Sequence, residues 1–222
     1  VPNEVDLTSS VDPFIGSSGP GNVIPGALIP HGMVRLSPDS VVEPGSIDAY
    51  DHDSDRIEGF THLHLEGPGG SANGYNQVRV MPAMGSFDLT DLSATFSHDD
   101  EVAAPGYYAV TLANGVRVEL TAAAHGGVHR YTFPSGEASL VLDLGSSNGV
   151  SRGGSLEIVG DRVVRGVGQY IVHPLISSLL TDLVGSTGES DVYFHAELTR
   201  PFSRYGTWQR ATPPIAAPGS RE

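Results

Sequence analysis

The segment Tyr50–Glu66 reads YDHDSDRIEGFTHLHLE and gathers carboxylates and imidazoles in one stretch. Asp51, Asp53 and Asp55 are spaced like the opening of a calcium loop, in which alternate oxygens converge on one cation. Such a loop needs Gly at its sixth position and Glu at its twelfth. Arg56 and His62 stand there instead, so a solvated acidic turn before a strand fits better. His62 and His64 lie two apart in Ile57–Leu65, which reads as a strand, and residues i and i+2 of a strand share a face. Three roles are open to the pair: internal hydrogen bonding, contact with a polyol while Glu66 accepts from it, or metal ligation with Asp51 or Glu66 as a third donor. The following Gly67-Pro-Gly-Gly-Ser-Ala-Asn73-Gly74 looks at first like a phosphate cradle. Neither Lys nor a helical pattern follows it, which excludes a P-loop. A rigid turn at Gly67 and Gly69, letting backbone approach a ligand, is the better reading.

Other chemistries find less support. No Gly-x-Ser-x-Gly elbow sits on a strand-to-helix turn; Ser146-Ser147 follow a strand pattern with no helix behind it. Glu58, Glu66 and Asp143 are available as glycosidic acids or bases, but such pairs meet only in the fold, and spacing does not choose among them. Arg200-Pro-Phe202 and Tyr205-Gly-Thr-Trp208 cluster aromatic rings around the single Trp, either to stack on a sugar ring or to pack.

The elements that must position these groups are strands. Val116, Val118 and Leu120 alternate with Arg117, Glu119 and Thr121, and Asn114-Gly115 joins them to Tyr107–Ala113 as a hairpin. Val128–Phe133 leads through Pro134-Ser-Gly136 to Ala138–Leu144. Leu156–Val159 and Arg162–Val167 flank a tight turn at Gly160-Asp161, and Asp191–Thr199 is a further strand. Pro174–Val184 reads as a short helix or a strand. Before residue 77, Gly and Pro are so frequent that only short strands fit between long ordered loops, where function tends to sit. The pattern predicts an all-β antiparallel β-sandwich with long Gly/Pro-rich loops over residues 1–208, followed by a Pro/Ala/Gly-rich linker or tail over 209–222.

Composition narrows the function. The chain has 222 residues, 26 acidic against 12 basic, and a net charge of −14. All the basic residues are Arg. Phosphate backbones and anionic lipid surfaces would repel it, so no nucleic-acid partner and no membrane insertion are expected. No apolar stretch reaches the ~18–20 residues that span a bilayer. Cysteine is absent, which removes disulfides, thiolate metal sites and Cys nucleophiles. Residues 1–10 carry no signal-peptide pattern, and the start at Val1 is consistent with a removed export signal or a trimmed chain.

Six motifs then occur in series: Val11-Asp-Pro-Phe-Ile-Gly16; Pro25-Gly-Ala-Leu-Ile-Pro-His-Gly-Met33 with Val34–Asp39; Gly59-Phe-Thr-His-Leu-His-Leu65 with Gly67-Pro-Gly69; Pro105-Gly-Tyr-Tyr108; His129-Arg-Tyr-Thr-Phe-Pro134; and Tyr205-Gly-Thr-Trp208. The series resembles the N-terminal β-sandwich domain of glycoside hydrolase family 92, over about residues 9 to 208. The resemblance implies a galactose-mutarotase or supersandwich-like fold and a calcium-dependent, exo-acting, inverting α-mannosidase. It implies an α-mannoside or related glycan as substrate, N-glycan processing, and an extracellular or periplasmic location. It also implies a C-terminal (α/α)6 barrel that holds the Ca2+ and the acid and base, leaving no catalytic residue and no metal ligand in the sandwich. His62, His64, Glu66, Gly67 and Gly69 are the positions that the resemblance assigns to the sugar cleft. Glu66 stands where family members often carry Ser or Thr, and Tyr75 where an Asp is common. The other reading is a free-standing carbohydrate-binding or protein-interaction module without hydrolase activity. With a partner domain removed, apolar surface is expected near Phe202 and Trp208.

Overall fold

A computed structural model describes residues 6–41, 50–64, 75–147, 150–171 and 188–209. Twelve strands follow in chain order: β1 Ala27–Leu28, β2 Arg35–Ser40, β3 Arg56–Thr61, β4 Arg79–Met84, β5 Ala94–Ala104, β6 Tyr107–Leu112, β7 Arg117–Ala122, β8 Gly127–Thr132, β9 Ala138–Asp143, β10 Val150–Val159, β11 Val163–Ile171 and β12 Glu189–Glu197. Every pairing is antiparallel. Two short 3-10 turns precede them, and there is no α-helix among the described residues. The fold is therefore the antiparallel sandwich that the period-two pattern predicts. Pro174–Val184 and the tail from residue 210 lie outside the described residues.

Nine strands form one strongly curled sheet, in the order β1-β2-β3-β5-β6-β7-β8, with β4 and β9 branching from β3. The sheet turns its corner between β3 and β5, which share only the pairs Arg56↔Thr95 and Ile57↔Ala94. This fold-over brings β1 and β2 against β7. Two layers thus face each other over one core, which includes Leu36, Ile57, Phe60, Tyr108, Val110, Val118 and Leu120. The alternation in β7 accounts for its share: Val118 and Leu120 are buried while Arg117 and Glu119 stay at the margin. Burying such side chains contributes ~1.5–3 kcal/mol each relative to leaving them in water.

The hairpins close as the turn residues require. Asn114 Oδ1 accepts from Val116 N at 3.1 Å and Gly115 takes φ +84°, which suits glycine. Gly160 turns β10 into β11, whose pairing begins at Val159↔Val163. By contrast, β8 and β9 do not pair with each other. β8 pairs β7, and β9 crosses to pair β4. β10, β11 and β12 form a separate three-stranded sheet with much of its surface exposed, including Leu156, Val159 and Tyr193. Phe202 and Trp208 are half-buried and Tyr205 is 72% exposed. Phe202 and Tyr205 meet edge to face at 6.1 Å.

Candidate functional site

Strand β3 ends at Thr61 rather than running to Leu65, so His62 and His64 do not share a strand face. This corrects the alternation read from the sequence. The physical reason is a change of backbone partner: the carbonyl of His62 accepts from Arg35 N at 2.9 Å, and Asn76 N donates to Leu63 O at 3.0 Å. The two rings consequently enter different surroundings.

His64 turns inward and is buried. Its Nδ1 donates to the carbonyl of Arg35 at 2.6 Å, and its Nε2 lies 2.8 Å from Asp39 Oδ1 and 3.1 Å from Thr61 Oγ1. Asp39 also accepts from Arg79 Nε at 3.1 Å, and Arg79 reaches Glu58 with its other arm. Burial pulls the Arg79 pKa down, but Asp39, Glu58 and Asp143 outweigh it and hold the guanidinium charged. Gly59 allows this path: a Cβ there would come within 2.6 Å of Arg79 Cγ. His64 is thereby committed to an internal polar network that braces the end of β3 against β2 and β4.

His62 turns the other way. It crosses between the layers to His129 of β8, Nε2 to Nε2 at 3.2 Å, with ring centroids 4.9 Å apart. His129 Nδ1 lies 2.7 Å from the Tyr131 hydroxyl. A buried phenol is best satisfied as a donor, so Tyr131 donates to His129 Nδ1 and His129 Nε2–H donates to His62 Nε2. Both imidazoles are held neutral. Burial, then the neighbouring His64, pushes the His62 pKa down to about 4; burial, then His62, pushes His129 down to about 3. Burial raises Tyr131. Space for the His62 ring comes from Gly127, where a Cβ would sit 2.8 Å from Nε2 and 2.9 Å from Leu36 Cδ2.

The Gly-rich loop leaves from this corner. Glu66, Gly67 and Gly69 lie outside the described residues, but the residues on either side are anchored. The Asn76–Leu63 bond ties the two ends together, and Ser146 and Ser147 donate to the carbonyls of Asn76 and Tyr75 at 3.4 Å. Asn76 and Val78 take φ of +66° and +56°, the second a strained value for a β-branched residue. A polar cleft of about 280 Å³ opens beside these ends, lined by Glu58, Arg79, Asp91, Asp143, Ser146 and Ser147.

The structure thus joins His62, predicted from sequence, to His129 and Tyr131, and His64, also predicted, to Asp39 and Arg79; sequence reasoning did not single out these four partners. A signal for two of them existed. VHRYTF alternates, which places His129 and Tyr131 on one face of β8, and both are half-buried there. Nothing in the spacing showed that this face meets His62.

Such an assembly defines a β-sandwich domain whose polar groups gather near Leu63 and Asn76, the described residues that flank the glycine-rich segment. The profile of the glycosyl hydrolase family 92 N-terminal domain matches residues 10–220, and the chain belongs to that family. A solved family GH92 alpha-mannosidase from Bacteroides thetaiotaomicron is 28% identical with a TM-score of 0.75, the match covering 90% of this chain and 26% of that one. A family GH92 inverting mannosidase from the same organism matches in fold, with a TM-score of 0.64, 23% identity, and coverage of 91% of this chain and 31% of that one. An uncharacterized secreted glycosidase from Arthroderma benhamiae is 28% identical over 152 residues, 61% of this chain and 18% of that protein. The chain therefore spans between 18% and 31% of the length of these relatives.

Proposed function

We propose that this chain is the non-catalytic N-terminal part of an exo-acting, inverting α-mannosidase, and that it contributes loops to a sugar cleft completed by a C-terminal (α/α)6 domain. The observation that carries the reading is the family match over residues 10–220, joined to 28% identity and a TM-score of 0.75 with an alpha-mannosidase. In this reading the substrate is an α-mannoside or related glycan and the protein acts outside the cytoplasm; the secreted description of a relative supports the location.

The roles of the sandwich follow from its chemistry. His62 sits at the root of the Gly-rich loop as a neutral imidazole whose Nε2 is taken by His129, which leaves its Nδ1–H to donate to a sugar hydroxyl. Glu66 adds an acceptor, and Gly67 and Gly69 let backbone approach the ring. His64 acts as a positioning residue, holding the start of the loop through Asp39. Inversion needs an acid on one face of the sugar and a base-activated water on the other, with room between. A wall built from a second domain closes the far side of the terminal sugar, which limits attack to chain ends.

Calcium is implied by the family resemblance. Among the described residues no three carboxylates converge; the convergent set of His, Asp or Glu donors, His52, His98 and Glu101, brings two imidazoles and suits calcium poorly.

The test compares the intact protein with the isolated 222-residue chain on a synthetic α-mannoside. Mannose release by the intact protein alone is expected. His62→Ala in that protein should raise KM several-fold more than it lowers kcat. Turnover by the isolated chain, or no hydrolysis of any α-mannoside by the intact protein, would overturn the reading.

A further inference from the structure

A second histidine pair, His52 and His98, takes no part in the proposed sugar site. We propose that His52, His98 and Glu101 bind one divalent transition-metal ion of the Zn2+ type. Each residue offers one ligand atom, and the three atoms lie within 4.8 Å of one another.

An irregularity of β5 builds the site. The strand pairs Phe96↔Leu112 and then Glu101↔Val110, so Ser97–Asp100 stand opposite Thr111 alone. In a regular strand residues 96 and 101 would face opposite sides; here both are buried. The bulge carries His98 and Glu101 to one point, with His98 Nδ1 2.8 Å from Glu101 Oε2. His52 arrives from the segment before β3 and lies against His98, the ring planes inclined by 37° and the centroids 4.0 Å apart. Phe14 flanks the His52 ring at 5.4 Å, and Phe96 meets His98 edge-on at 4.9 Å. The rings are thus confined before any ion arrives.

The surroundings match what a metal requires. Glu101 is buried, and its recorded partners are two phenols and an imidazole: Tyr50 at 2.9 Å, Tyr108 at 2.6 Å and His98. A carboxylate withdrawn from water without a guanidinium partner gains from a cation. The tyrosine hydroxyls fix its orientation, and Tyr50 also lies 3.2 Å from His52 Nδ1, so one phenol orients two ligands. Two imidazoles and one carboxylate are a zinc-type donor set rather than a calcium or magnesium one. Tetrahedral bonds of ~2.0–2.2 Å place donors ~3.4 Å apart, so the three ligand atoms, now within 4.8 Å of one another, would draw together on binding. The His98 side chain is 34% exposed, which gives the ion a path in and leaves a fourth position for water. Binding would tie the segment before β3 to the bulge of β5.

The experiment strips the intact protein with a chelator, dialyses it, and titrates Zn2+ by calorimetry and Co2+ by visible absorption. A micromolar or tighter Zn2+ site is expected, with a four-coordinate Co2+ spectrum. His52→Ala and His98→Ala should each weaken that site roughly tenfold or more. His125→Ala, at an exposed position outside both pairs, should leave it unchanged. Three results would overturn the proposal: no site that depends on His52, a Co2+ spectrum of the hexaaqua kind, or a site lost with His129→Ala and kept in His52→Ala. The Co2+ spectrum of the unsubstituted protein decides even if a variant folds poorly.

Discussion

The domain contains two histidine pairs of similar geometry in unlike surroundings. His62 and His129 meet between the layers, backed by a single phenol. His52 and His98 meet at a tilt at the margin of β5, backed by a buried carboxylate and two phenols. The first pair is half-buried, and each ring has another imidazole beside it, so protonation is resisted. The second has a carboxylate at hydrogen-bond distance and an opening to water. The residue type is the same; the neighbours decide whether the pair is a neutral hydrogen-bonding platform or a cation site.

The largest expected effect lies in the carboxylate-backed pair. Glu101→Ala leaves the Tyr50 and Tyr108 hydroxyls buried without their acceptor, and should destabilise the domain by about 3–5 kcal/mol in chemical denaturation. A loss under about 1 kcal/mol would mean that Glu101 does not organise this corner.

The His62–His129 pair should reveal itself in acid. Both pKa values are depressed in the folded state, to about 4 and about 3, against about 6.5 unfolded. Between those limits the unfolded chain binds more protons than the folded one. Stability contributed by the pair is therefore complete above about pH 6.5 and is lost as pH falls towards 3. His129→Phe should flatten that slope, and an unchanged slope in urea titrations at several pH values would refute the assignment.

Gly127→Ala sharpens the contrast with a smaller effect, about 1–3 kcal/mol, because the added methyl meets His62 Nε2 and Leu36 Cδ2. Histidine NMR should show the His62 and His129 resonances shifting while those of His52 and His98 stay in place. Equal shifts in both pairs would mean that they are not independent.

Much of the strand architecture was readable because hydrogen-bonded hairpins are local. Asn114-Gly115 and Gly160-Asp161 sit where turn chemistry demands, and the alternation through Val116–Thr121 names its own buried face. The extent of β3 was misread because the apolar and polar alternation continues past Thr61, while the backbone there has already turned to Arg35 and Asn76. The bulge at Ser97–Asp100 was invisible for the opposite reason: SHDDE looks like a polar strand or loop, and only pairing with β6 shows which side chains it re-aims.

By itself the sequence determined the all-β class, most hairpin turns and the family, since these rest on short-range periodicity and on motifs in fixed order. Tertiary structure decided which imidazoles meet. His62 and His129 are 67 residues apart, and Tyr50 and Glu101 are 51 apart. Contacts at that separation depend on where the curled sheet folds over and on one irregular strand, and neither leaves a periodic trace in the chain.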